Sequence, residues 1–245
     1  MTTVAVLVDP PRSGHVMTRL VETSPLSPDD ALDLYVACSR DVVSAALDSG
    51  GELLVNYGTI PSAGLDDEAA EAAVREILED VVPKDTRYEV QVGETRAARA
   101  GNTATHLLET EGVGSVAIVD PSAAFLARTD VDGAAMKLRS SEVVLGPAPG
   151  GRIYYAGFTE PVDFAEAFAP PTIETLVDRS LDAGLDVDFL DRKPVIGTGT
   201  DLADAVSLLR ARRRADRLVP DYLAEWIEDA NLRVEATDDG LSIHR

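Results

Sequence analysis

Apolar residues along this chain alternate between two periodicities. Short unbroken runs read as buried strands: VAVLV at 4–8, ELLVNYG at 52–58, RYEVQVG at 87–93 and SVAIVD at 115–120. Between them, segments with apolar residues three and four apart read as helices. One opens at Ser27-Pro28-Asp29-Asp30, a capping serine with proline at the first helical position, and runs to Leu47, where Gly50-Gly51 stops it. Others are expected over 66–81, over 95–110 with Gly112 and Gly114 as terminators, and over 130–138. EVVLGP and RIYYAGF then follow as strands around the turn Ala148-Pro149-Gly150-Gly151. A helix over 172–183 ending at Gly184, a short strand DVDFL, and helices over 200–214 and 220–230 complete the series. The tail LRVEATDDGLSIHR reads as a hairpin, because Asp239-Gly240 sits between alternating apolar residues.

Strands separated by helices of this length predict an α/β fold, a mainly parallel sheet with helices on both faces. One domain is expected over 1–216, with 217–245 as a helix-and-hairpin appendage. The stripe Leu223, Trp226 and Ile227 of that appendage faces either its own sheet, the ordinary fate of an amphipathic stripe, or a second copy in a homodimer. Ligands of such sheets sit at the carboxyl ends of strands. The loop PPRSGHVMTRL at 10–20, Asp120 and the turn at 147–151 are therefore the rim positions to watch.

Charge narrows the partners. The 245 residues carry 43 acidic and 22 basic side chains, a formal charge of -21, and only three of the bases are lysines. Acid spread over nearly every segment fits a surface adapted to high intracellular salt, where self-repulsion is screened. It argues against nucleic acid and anionic membrane as partners, since phosphate backbones call for a concentrated basic face. The one basic run, Arg210 with Arg212 to Arg214, reads as a solvated helix end. Cys38 is alone, so neither an internal disulfide nor a cysteine metal site is expected. With no signal-type start and no apolar run near the ~18 residues that span a bilayer, a cytoplasmic protein is expected.

Three stretches carry candidate chemistry. In the opening loop, Arg12 and Arg19 can fork onto a phosphate with the Thr18 hydroxyl beside them, and Gly14 allows close backbone approach; equally, Arg19 can pair with one of many carboxylates. Asp120, ending an apolar strand, can meet a divalent ion or simply cap the turn after it. LGPAPGG keeps a loop slim enough for a ligand to lie against, and also describes a plain hairpin. His15, His106 and His244 fall into no catalytic or ligand pattern.

The order of these pieces is similar to that in a known family. P-x-x-G-x-V-x-T-R-L after the first strand, LSP opening a helix, a mid-chain strand ending in aspartate, VVLGPA-x-GG-x-x-YY-x-G, PPT-x-x-x-L and a final T-x-x-DL resemble the small nucleotide-diphospho-sugar transferase-like proteins of the GT-A, Rossmann-like fold. The resemblance spans residues 4–202. It implies a nucleotide or nucleotide sugar held by Gly14, Thr18 and Arg19, beside the Arg12 that the loop itself offers, Mg or Mn on Asp120, and a second substrate, on the sugar or acceptor side, along Gly146, Pro147, Gly150 and Gly151. The chemistry implied is displacement at an anomeric carbon or at phosphorus. The chain also departs from the pattern. Met17 stands where the family has lysine, Asp9 where it has a basic residue, Ala123 where a second acid follows the strand, Pro149 in place of an acidic pair, and Gly197 in place of a late aspartate. An active transferase, a nucleotide-binding or regulatory protein that has lost catalysis, and a nucleotidyltransferase related to phospholactate guanylyltransferases all remain open.

Overall fold

The computed structural model describes residues 1–238 and 240–245. Along the chain run β1 (Thr2–Val8), α1 (Thr18–Glu22), α2 (Pro28–Leu47), β2 (Glu52–Tyr57), α3 (Asp67–Leu78), β3 (Arg87–Val90), α4 (Arg96–Thr105), β4 (Ser115–Val119), α5 (Arg128–Lys137), β5 (Val143–Ala148), β6 (Arg152–Phe158), α6 (Thr172–Asp182), β7 (Val187–Phe189), α7 (Gly199–Arg214), α8 (Asp221–Asp229), β8 (Arg233–Thr237) and β9 (Gly240–His244). Among the described residues one sheet has seven strands in the order β3-β2-β1-β4-β6-β5-β7, and β8 pairs with β9 in a separate hairpin. β1 lies parallel to β2 and β4, and β6 runs antiparallel between β4 and β5. This is the mixed, mostly parallel α/β architecture that the strand and helix spacing predicts.

The unbroken apolar runs have a direct cause. All of β1 and all of β4 are buried, because helices cover both faces of the sheet. Val4, Val6 and Val8 pack with Val42, Val43 and Ala46 of α2 and Val74 of α3, whereas Ala5 and Leu7 point the other way, towards Ala100 and Ala104 of α4 and Leu176 of α6. The entry to α2 is a capping box: Ser27 Oγ accepts from the Asp30 N–H at 3.1 Å, and the Asp30 carboxylate accepts from the Ser27 N–H at 2.8 Å. The helix expected over 95–110 holds α-geometry only to Thr105 and finishes in a π-helical turn, His106–Thr110. The expected Asp239-Gly240 turn includes Asp239, which lies outside the described residues; the strands beside it pair from Arg233 with His244 to Thr237 with Gly240.

The last elements form a third apolar cluster. Leu223 and Ile227 of α8 are buried with Leu34 and Cys38 of α2 and Leu202 and Val206 of α7, so the stripe meets helices of its own chain and not the sheet itself. The basic run at the end of α7 binds this tail: Arg210 donates to the Leu232 carbonyl at 2.7 Å and Arg213 pairs with Glu228. Arg212 lies 5.6 Å from the Phe125 ring centre. No helix among the described residues is long and apolar enough to cross a membrane.

α8 begins without a side-chain cap of its own. Asp41, buried on α2, supplies one by accepting from the N–H groups of Tyr222 at 3.1 Å and Leu223 at 2.7 Å. Burial pushes its carboxyl up to about 7, against the pull of those two donors. A carboxyl whose folded value lies above its unfolded one binds the proton more tightly in the folded state, so its contribution is greatest at low pH and is lost as pH rises from about 4 through about 7. Thermal melts at pH 5 and pH 8 should show the wild type more stable at pH 5 by a few kcal/mol, since each tenfold difference in proton affinity is worth ~1.4 kcal/mol. Asp41→Asn should flatten most of that slope. Equal slopes in the two proteins would mean that Asp41 is ionised throughout.

Candidate functional site

The strand order turns between β1 and β4, the place where open α/β sheets bind ligands beyond their carboxyl ends. Asp9 follows β1 there and Asp120 follows β4. A cavity of about 210 Å³ opens between them, lined also by Met17, Tyr35, Gln91, Arg96, Arg99, Ser122 and Gly197. A larger groove of about 760 Å³ between α2 and α8 lies away from the strand ends and is walled by residues of both signs, among them Asp33, Arg40, Glu225 and Arg245.

The walls of the smaller cavity are fixed from outside it. The Asp9 N–H donates to the Tyr35 hydroxyl at 2.7 Å, and that hydroxyl donates to the Asp9 carbonyl at 3.0 Å, so α2 holds the chain as it leaves β1. Gln91 donates to the Asn56 carbonyl at 2.7 Å. The Ile196 N–H donates to the Ser122 carbonyl at 2.9 Å, bringing the loop before α7 against the turn after β4. Asp120 caps that turn through the Ser122 N–H at 2.8 Å and meets Arg96 with its other oxygen. Burial alone would raise the Asp120 carboxyl; Arg96 and the Ser122 donors outweigh it and hold the group below the ordinary carboxylate value. Burial at the cavity mouth raises the Asp9 carboxyl, with help from the Asp120 charge and against Arg99 and Arg96.

Arg96 and Arg99 are the residues that sequence reasoning missed. They stand three apart in the first turn of α4, so both reach the same cavity. A signal was available: arginines in a first turn oppose the helix dipole, which favours acids there, and a broken local rule marks a site to inspect. Arg96 lies 5.5 Å from the Phe168 ring centre, and its polar contact among the described residues is Asp120. Arg99 reaches Asp9 at only 3.4 Å, and its Nε is buried with no partner among the described residues. A buried donor left unpaired costs about 1–3 kcal/mol.

The sequence-derived candidates lie around this cavity more than in it. Arg12, Gly14, Thr18 and Arg19 are exposed on the loop after β1 and on α1. Of that loop Met17 lines the cavity, with its backbone in the left-handed region at φ 48°. Gly146 and Pro147 end β5, and Gly150 and Gly151 form a left-handed pair at φ 70° and 69° in the turn to β6. A Cβ on Gly146 would come within 2.7 Å of the Tyr154 ring, so packing already accounts for a glycine there. Because β5 and β4 both run antiparallel to β6, this turn lies at the same sheet edge as Asp120. It is joined to α7 by Arg152, whose two Nη atoms donate to Asp201 at 2.8 and 2.6 Å while Nε donates to the Pro149 carbonyl at 2.7 Å.

The donor set at Asp120 does not fit the Mg or Mn that the resemblance implies. One carboxylate oxygen is taken by Ser122 and the other by a guanidinium, Gly197 offers no side chain, and among the described residues no three of His, Cys, Asp and Glu converge to hold a metal ion. Mg or Mn wants about six oxygen ligands in a regular shell.

No family model and no curated protein matches the chain. Solved structures do. The chain is similar to a protein from Desulfovibrio desulfuricans assigned as a nucleotide-diphospho-sugar transferase, at 19% identity over 94% of this chain and 95% of that one, with a TM-score of 0.74. It is similar to CMP:2-keto-3-deoxy-manno-octonic acid synthetase complexed with CTP, at 12% identity over 86% and 99% of the two chains and a TM-score of 0.51. It is also similar to 4-diphosphocytidyl-2C-methyl-D-erythritol synthase from Anaerococcus prevotii, at 12% identity over 86% and 98% and a TM-score of 0.51. The chain thus has the fold shared by nucleotide-diphospho-sugar transferase-like proteins and cytidylyltransferases.

Proposed function

We propose that this chain binds a nucleotide or nucleotide sugar at the cavity between β1 and β4 and is a nucleotide-sugar transferase-like protein. One observation carries the reading: two arginines with unused donors meet in a concavity at the switch point of a fold whose solved examples include a CTP complex. The cavity's 210 Å³ is below the ~300 Å³ at which small-molecule pockets usually begin, so it takes a part of such a ligand. The remainder lies across the open rim, where Arg12, Gly14, Thr18 and Arg19 stand on one side and Gly146, Pro147, Gly150 and Gly151, on the acceptor side, border the other.

The test is calorimetric titration in molar KCl with CTP, GTP, UDP-glucose and GDP-mannose. Micromolar binding of one of them is expected, weakened about tenfold or more by Arg99→Ala, the size of one lost charged hydrogen bond. Silence across the four ligands would remove the reading. Binding without transfer is a second reading, favoured by the engagement of both Asp120 and Asp201 with arginines. Phosphorus NMR of the bound nucleotide with candidate acceptors separates the two, since only transfer cleaves the nucleotide.

A further inference from the structure

We propose that the cavity is a diphosphate site whose positive charge belongs to the chain itself: Arg96 and Arg99 hold the phosphates directly, and no divalent cation takes part. The inference rests on the nucleotide reading above and adds the means of recognition.

Two arginines of this acidic protein spend nearly all of their donors on carboxylates and carbonyls. Arg87 bonds to both Glu89 and Glu111, and Arg152 is bidentate on Asp201 with its Nε on a carbonyl. Arg96 and Arg99 are less fully engaged, and they are the two arginines that line the cavity at the strand switch. Each guanidinium has five N–H donors. Arg96 spends one nitrogen on Asp120 and rests against Phe168, which leaves the other side of its fork open to the cavity. Arg99 has one long contact to Asp9 and a buried Nε with nothing to bond. Two planar forks at the start of a helix, whose dipole also favours an anion, match adjacent phosphates better than any neutral ligand.

The counter-charges fit the same arrangement. Asp120, fixed by the Ser122 N–H, holds Arg96 in place and is a positioning residue for it. Met17 makes the facing wall apolar, so the cationic contribution comes from α4 and not from the opening loop. A divalent ion at Asp120 would have to displace Arg96 and would find one oxygen of that carboxylate already engaged, with Asp9 the one other His, Cys, Asp or Glu among the described residues lining the cavity.

Inorganic pyrophosphate and the nucleotide panel, each titrated in EDTA and again in excess Mg, test this. The expected result is pyrophosphate and nucleotide binding in EDTA with no gain from Mg. Arg96→Gln and Arg99→Gln should each weaken pyrophosphate about tenfold or more, Arg99→Gln while leaving the melting curve in place, and Arg96→Lys should restore part of the loss. Pyrophosphate bound in EDTA with every nucleotide ignored supports the arginine site and removes the nucleotide reading. Nucleotide bound only with Mg overturns the arginine site and leaves the nucleotide reading standing. Absence of binding to both ligands in both conditions overturns the two together.

Discussion

Arg152→Leu is expected to lower the melting temperature by about 10 °C. Asp201 is 10% exposed and Arg152 29%, and the pair is bidentate at 2.6 and 2.8 Å. Removing the guanidinium leaves a carboxylate out of water with the Gly197 N–H at 3.2 Å and the Thr198 hydroxyl-capped first turn of α7 as its remaining company. Breaking a buried pair from one side costs about 3–5 kcal/mol, and about 2–4 °C accompanies each kcal/mol at this chain length. The reverse change, Asp201→Asn, should cost less, because the stranded guanidinium is closer to water and keeps the Pro149 carbonyl.

The pH dependence separates this account from simple loss of packing. In the wild type, burial would raise the Asp201 carboxyl, but the Arg152 bonds outweigh it and hold the group below its ordinary value. A depressed folded value contributes stability above the unfolded value, lost as pH falls through the folded one, so the wild-type pair is indifferent to pH from neutral down to about 4. Without Arg152 the burial effect is opposed only by Thr198 and the Gly197 N–H, and the sign is expected to reverse. Arg152→Leu should regain more stability than the wild type does on acidification from pH 8 to pH 5, and an Arg152→Leu/Asp201→Leu double variant should show only the wild-type change. A single variant whose change between the two pH values equals the wild type's would show that the cost lies in packing.

How much of this was legible in advance depends on the range over which each feature is decided. α2 is written in a few adjacent residues, the Ser27 cap, Pro28 and the Asp30 partner, and those residues form the capping box. β1 and β4 are equally local, since only strands covered on both faces need to be apolar at every position. The insertion of β6 between β4 and β5 was not legible, because an antiparallel hairpin in a parallel sheet has no periodicity of its own. The site is less legible still. Asp120 stood out as a strand-ending acid, yet what engages it is Arg96, 24 residues earlier on a separate helix. Asp41 caps a helix start 181 residues away, a pairing that only the packing of α8 on α2 creates. Arg152 and Asp201 stand 49 residues apart, and neither neighbourhood gives a reason for a buried ion pair. Local signals thus locate the scaffold, and charge partners chosen by the fold decide what the rim can do.

The second large effect is expected where two distant segments touch through backbone. Gly199 opens α7, and its N–H donates to the Thr23 hydroxyl at 2.9 Å. A Cβ there would lie 2.1 Å from the Thr23 carbonyl oxygen and 2.9 Å from its carbon, distances that no rotamer can relieve because the obstructing atoms are backbone. Gly199→Ala must therefore push α1 and α7 apart, opening the cluster in which Leu20 packs with Leu202 and Val206. Overpacking of a core costs about 1–3 kcal/mol and more when the backbone has to move, so a loss of about 3 kcal/mol or more is expected in denaturant melts. The functional consequence differs from that of Arg152→Leu. α1 carries Thr18 and Arg19, and the loop before α7 carries Gly197, so the displacement widens the rim on both sides of the cavity while Arg96 and Arg99 on α4 stay where they are. Pyrophosphate affinity should survive Gly199→Ala, whereas the affinity for a whole nucleotide, which also depends on the rim, should fall. Equal losses for the two ligands would mean that the phosphates too are held by the opening loop, and would move the anion site from α4 to α1.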